Sequence, residues 1–137
     1  RLVEGLVDGT ISAVCSNHQP VDANAKSAPF SLTQPGASTI EHILPLIMHI
    51  KKLGSELSLK ESISLVTSKP AGILGIEKGM LKENGDADIC IFDPNKNTDI
   101  NKSNLLSAGK NTPFGGWELD GKVTHTILGG KLVFNSD

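Results

Sequence analysis

Ile40, Ile43, Leu44, Ile47 and Ile50 recur three and four residues apart, the spacing of one face of an α-helix. Pro45 falls inside that stretch and is expected either to kink the helix or to mark its first turn. Gly54 is expected to end it. Leu59, Ile63 and Val66 predict a second helix, and Pro70–Leu74 a third, short one stopped by Gly75. The first two open on the same signature, Ser38 with Glu41 and Ser58 with Glu61. In such a capping box each side chain satisfies a free amide of the first helical turn.

Strand patterns flank this helical block. Asp8-Gly9-Thr10 reads as a turn, and Ile11–Ser16 as a short buried strand. A polar stretch of about twenty residues, Asn17 to Ala37, follows with Pro20, Pro29 and Pro35; loops of that length in compact domains are often functional. Past Gly79 the pattern changes. Ile89–Phe92 reads as a strand that Asp93-Pro94 turns, Asn95–Asn111 as polar and irregular, and Lys122–Leu128 as a strand. Gly129-Gly130 reads as a two-residue hairpin turn and Lys131–Phe134 as its return strand. A βα half thus precedes a β half, with the boundary near residues 76–80.

Composition narrows the function classes. The chain has 137 residues, a net charge of −2, 38% hydrophobic and 20% charged residues, the make-up of one ordinary domain. No apolar run nears the roughly 18 residues of a membrane span. The weak acidity and 4% aromatic content argue against a nucleic-acid platform. Cys15 and Cys90 each lie in an apolar run and read as small buried thiols in strands. With no secretory signal, a reducing cytoplasm is the default expectation. The chain opens on Arg1 without Met, so it is expected to be either processed or a piece of something longer.

Chemistry is expected first at the end of the first strand, Cys15-Ser16-Asn17-His18-Gln19-Pro20, because functional groups gather at the carboxyl ends of strands in βα folds. Asn17 can position a group by hydrogen bonds but cannot take a proton. His18 lacks a neighbouring ligand residue and reads as a hydrogen-bonded structural histidine rather than a metal ligand. His42 and His49 are seven apart on one helix face, not four, and read as solvated or packed; His125 reads as a strand residue. The chain has neither His-x-His nor Cys-x-x-Cys, so no self-contained transition-metal site is expected. Gly115-Gly116-Trp117 lacks the rest of a phosphate loop and reads as a turn. Asp86 and Asp88 read as a solvated approach to a strand.

Several segments together resemble the dihydroorotases of the amidohydrolase superfamily. Asp8-Gly9-Thr10-Ile11 is similar to that family's approach to its last metal-site strand. Thr67-Ser68-Lys69-Pro70-Ala71 with Leu74-Gly75 resembles the superfamily's Thr-x-x-Pro-Ala-x-x-Leu-Gly segment, and Gly85-Asp86-Ala87-Asp88 its Gly-x-Asp-Ala-Asp strand. Lys110-Asn111-Thr112-Pro113-Phe114 with Gly116-Trp117 resembles long-type dihydroorotases more specifically, and the Gly-Gly hairpin completes the pattern.

The resemblance implies an α/β plus β fold. Residues 1–78 would be the last βα units of a (β/α)8 barrel, and residues 79–137 the carboxyl-terminal strands of a small β-sandwich. It implies a carboxyl-terminal fragment of about a third of a protein of pyrimidine biosynthesis, inactive alone because most metal ligands lie elsewhere. No cofactor is expected in the fragment, whereas active members use zinc. The family's Asp-His-Ala-Pro-His pattern stands here as Asn17-His18-Gln19-Pro20-Val21. Asn17 would replace the aspartate that binds metal and carries the proton; Val21 would replace the histidine that contacts the substrate carboxylate. The Pro35-Gly36-Ala37 loop, whose backbone would face the substrate, is kept. Loss of a general base removes about 10²–10⁴ in rate, and loss of a charge-assisted contact about 1.5–3 kcal/mol. The two departures resemble catalytically dead homologues that assemble with aspartate carbamoyltransferase. The alternatives are an active dihydroorotase or a hydrolase of another cyclic amide or imide. A barrel fragment would also expose sheet edges, so self-association is expected, with neither nucleic acid nor membrane as partner.

Overall fold

The computed structural model describes residues 1–53 and 56–136. Its elements are α1 (Leu2–Val7), α2 (Ile43–Leu53), α3 (Leu59–Ser64), α4 (Ser68–Leu74), β1 (Ile89–Asp99), β2 (Glu118–Leu128) and β3 (Lys131–Asn135), with short 3₁₀ turns at Ala23–Lys26, Phe30–Leu32, Ile40–His42 and Lys102–Asn104. The strands form one antiparallel sheet in the order β1-β2-β3.

The predicted helices form where their apolar spacing puts them. Pro45 sits in the first turn of α2, where its missing N–H has no intrahelical partner to lose. The expected stop at Gly54 lies outside the described residues. Ser58 and Glu61 make the capping box of α3 in both directions, and Gly75 ends α4 in the left-handed conformation. Leu6, Leu57 and Leu65 form one small core with Ile11, Val14 and Ile50 packed on it. Ile47, Ile100, Leu105 and Leu119 are buried as well. A fully buried side chain such as Ile47 contributes about 1.5–3 kcal/mol.

Four expectations are corrected. Residues 11–16 do not form a strand. Val14 N–H donates to the Leu65 carbonyl at 2.9 Å, and among the described residues no strand lies alongside to complete a ladder. Cys15 and Cys90 are both exposed, not buried, so an apolar run did not guarantee a covered strand. β1 does not turn at Asp93-Pro94 but continues to Asp99, because irregular pairing takes up the proline: Asp93 faces Lys122 and Asn97 faces Asp120. β2 correspondingly starts at Glu118. Finally, Ser38 and Glu41 do not cap one another, for reasons set by the site.

The hairpin forms as expected, with Gly129 and Gly130 at φ 55° and 77°. Lys78 Nζ bridges Asp86 at 2.6 Å and Asp88 at 2.9 Å, while Asp88 Oδ1 accepts the Gly129 N–H at 2.8 Å. Asp88 therefore anchors the hairpin turn, and Lys78, which also pairs with Asp86, holds the Asp88 carboxyl below the usual range.

Candidate functional site

Three distant segments converge: residues 16–21, 35–41 and 105–111. Asn17 adopts φ 43°, a left-handed conformation that asparagine tolerates better than most residues. Its Oδ1 accepts from Gln19 Nε2 at 3.2 Å. The next side chain supplies the anchor. His18 Nδ1 accepts the N–H of Thr39 at 3.0 Å and of Ile40 at 3.2 Å. Nδ1 is thus the acceptor nitrogen of the ring. Thr39 Oγ1 closes the junction from the other side, donating to the Ser16 carbonyl at 2.6 Å.

His18 thus does what Ser38 was expected to do, giving free amides at the helical start an acceptor. Ser38 is buried and its Oγ donates to the Gly109 carbonyl. Glu41 turns outward, and its carboxylate accepts the Leu106 N–H at 2.9 Å and the Ser107 N–H at 2.7 Å. The cap is therefore lost to longer-range partners. Thr39, not Ser38, precedes the first helical turn, with no side-chain cap of its own.

The Pro35-Gly36-Ala37 turn is pressed against this frame. Gln19 N–H donates to the Ala37 carbonyl at 2.9 Å. Gly36 has φ 122°, and a Cβ there would lie 2.6 Å from the Gln19 carbonyl oxygen, so no other residue fits the turn as built. The same Cβ position is 3.5 Å from Val21 Cγ1, so Val21 presents methyl groups to the turn. Asn17, Val21 and residues 35–37 are thereby brought into one neighbourhood. His18 is the hydrogen-bonded structural histidine expected; what the sequence did not show is that it caps the helical start, nor that Gln19 links the segments and Asn111 braces the turn through the Gly36 carbonyl. The signal for Asn111 lay in the Lys110–Phe114 motif, noted for resemblance and not for contact.

That motif covers α2. Phe114 meets buried His42 edge-on at 6.2 Å, and Trp117 meets His49 at 6.0 Å, so the two histidines share a face and are packed. Burial holds the His42 pKa below the ordinary histidine range, with the Glu41 carboxylate opposing the shift. A groove of about 700 Å³ lies away from Asn17, between the start of α2 and the sheet, lined by Ile40, Leu44, Cys90, Thr126 and Phe134 among others. Although Cys90 is exposed as a residue, partial desolvation of its thiol beside the groove raises the thiol pKa, which makes it a poor nucleophile.

The chemistry available at Asn17 is that of a neutral, hydrogen-bonding surface. Asp22, the nearest carboxylate in sequence, accepts the Asn24 N–H at 2.8 Å as the cap of a 3₁₀ turn. Glu41 is engaged by two backbone amides, and His18 Nδ1 by two more. The described residues do not fit a zinc site: among them no three His, Cys, Asp or Glu side chains gather as a metal would require. Among the described residues, no helix is long and apolar enough to cross a membrane.

Comparison with known proteins agrees with the motifs. Residues 33–134 match the amidohydrolase family Amidohydro_3. The chain is 38% identical over 137 residues to a dihydroorotase of Bacillus thuringiensis (strain Al Hakam), covering 99% of this chain and 32% of that protein. It is 37% identical over 136 residues to a dihydroorotase of Bacillus cereus (strain B4264), with the same coverage of both chains. It therefore spans about a third of the length of the curated relatives it matches. Among solved structures it resembles the L-hydantoinase (dihydropyrimidinase) of Arthrobacter aurescens, with TM-score 0.88 and 29% identity over 98% of this chain and 31% of that one. The D-hydantoinase of Bacillus sp. AR9 gives TM-score 0.87 and 26% identity over 98% of this chain and 30% of that one. The fold of this segment is accordingly that of the same stretch in these amidohydrolases, and the chain belongs to the amidohydrolase family, with dihydroorotases as its sequence relatives.

Proposed function

We propose that the chain is the carboxyl-terminal part of a dihydroorotase-like protein of pyrimidine biosynthesis that has lost its hydrolytic chemistry and serves as an assembly partner of aspartate carbamoyltransferase. One observation carries the loss of chemistry: Asn17, where the family's pattern has its proton-carrying aspartate, is an amide, and Asp22, the nearest carboxylate in sequence, is already engaged by the Asn24 N–H. An amide neither takes up a proton at neutral pH nor offers a metal a negative charge. Val21 adds to the defect, because its methyl groups face the Gly36 turn where a histidine would offer a charge-assisted donor. Zinc, the metal of active relatives, would gain only an amide oxygen from Asn17.

The likeness to hydantoinase structures supports the ligand class and motivates the second reading, an active hydrolase of dihydroorotate or of another cyclic amide or imide. Turnover assays with dihydroorotate and with hydantoin, in the presence of zinc, separate the two. The proposal expects no hydrolysis above background, together with co-elution with aspartate carbamoyltransferase in size-exclusion chromatography. Hydrolysis at an ordinary enzymatic rate contradicts it.

The 137-residue chain by itself is proposed to self-associate in the cytoplasm. It exposes 9209 Å², against about 6,900 Å² for a compact monomer of its mass. Ile73, Leu74, Met80 and Leu81 are each more than half exposed. A monodisperse monomer in light scattering overturns this part.

A further inference from the structure

We propose that Asn111 is a positioning residue for the Pro35-Gly36-Ala37 turn, setting which of its backbone groups face a ligand; this rests on the reading that the turn faces a cyclic amide. Asn111 reaches across 75 residues of sequence to donate from Nδ2 to the Gly36 carbonyl at 2.8 Å. Its own carbonyl accepts the Ser38 N–H at 2.6 Å. One residue therefore grips the turn on both sides of Ala37. Gly109 lets the strand of chain carrying Asn111 come this close: a Cβ there would lie 2.8 Å from the Val21 carbonyl oxygen and from Pro20 Cβ. The Ser38 hydroxyl locks the approach by donating to the Gly109 carbonyl.

The consequence is a polarised turn. The Gly36 carbonyl is taken by Asn111 and the Ala37 carbonyl by Gln19. The Gly36 and Ala37 N–H groups donate to no described residue. What the turn has left to offer is two successive donors, which suit a carbonyl or carboxylate oxygen and not an N–H. Without the Asn111 amide, the Gly36 peptide is free to rotate and present its carbonyl instead.

The test uses the 137-residue chain, its Asn111→Asp variant and its Asn111→Gln variant, with ¹⁵N relaxation and dihydroorotate titration followed at the amides of residues 36 and 37. Aspartate has the same shape but places an acceptor where the donor stood. The order parameters of Gly36 and Ala37 are expected to be those of rigid backbone, about 0.85, in the parent, to fall below about 0.6 in Asn111→Asp, and to recover in part in Asn111→Gln. The α2 amides should be unaffected. Saturable shifts on dihydroorotate should weaken at least fivefold in Asn111→Asp. Unchanged order parameters and affinity in that variant overturn the proposal. Absence of saturable shifts in the parent overturns instead the reading that this turn faces a cyclic amide, and the order parameters still decide the role of Asn111.

Discussion

Ser38-Thr39-Ile40-Glu41 and Ser58-Leu59-Lys60-Glu61 carry the same four-residue signature and end in different structures. At Ser58 both reciprocal bonds form, Ser58 N–H to Glu61 Oε2 at 2.8 Å and Glu61 N–H to Ser58 Oγ at 3.2 Å. At Ser38 neither does: the hydroxyl goes to Gly109, the carboxylate to Leu106 and Ser107, and His18 takes over the cap. The Ser58 box is exposed, and its two side chains bond within the box. The Ser38 box is packed against the distant segment 106–109, and a carboxylate holding two backbone amides outcompetes a local cap. Local rules fail where a fold assembles its site.

That contrast can be broken from either side. The largest effect is expected from Glu41→Ala, which strands the Leu106 and Ser107 amides; about 2–4 kcal/mol of stability should disappear, read as a shift in urea midpoint. An effect no larger than that of Ser58→Ala would mean the long-range bonds do not dominate. His18→Ala should cost about 1–2 kcal/mol, because two amides lose their acceptor. His18→Asn, which keeps an acceptor, should recover part of that. Equal loss in both variants would place the contribution of His18 in packing. Ser58→Ala should cost about 1 kcal/mol and speed amide exchange in α3 alone.

The smallest expected effects concern pH. His42 is held neutral by burial, its folded pKa below the unfolded value of 6.5. The unfolded state then binds more protons, so this contribution is whole above about pH 6.5 and fades as pH falls towards the folded value. Glu61 is held below 4.5 by its bonds to Ser58, so its contribution is whole above that value and is lost on further acidification. Urea midpoints measured from pH 7.5 to 3.5 should show both declines. His42→Gln should flatten only the upper one and Ser58→Ala only the lower one; a parent curve without slope between pH 6.5 and 5 contradicts the first assignment.

What the sequence made legible was what depends on near neighbours. The apolar faces of α2 and α3, the left-handed Gly75 and the Gly129-Gly130 hairpin each need only a few consecutive residues to be right. The strand expected at residues 11–16 needed a neighbouring strand, and the described chain provides two isolated backbone bonds, from Ile11 to Gly5 and from Val14 to Leu65. The site was half legible. Asn17, Val21 and the Gly36 turn were identified from a motif, yet the residues that hold them act across separations of 18 to 75 positions. His18 was legible as a hydrogen-bonded histidine, but nothing local in it or in Asn111 announces which distant partners they take.

The missing carboxylate at position 17 is tested most directly by grafting residues 1–137 into the Bacillus thuringiensis dihydroorotase in place of its matching third. Dihydroorotate turnover is then compared between this chimera and its Asn17→Asp, Val21→His form. The grafted enzyme should be slower than its parent by 10² or more, with the double substitution restoring most of the rate. Parental turnover by the unaltered graft, with Asn17 in place, would contradict the account.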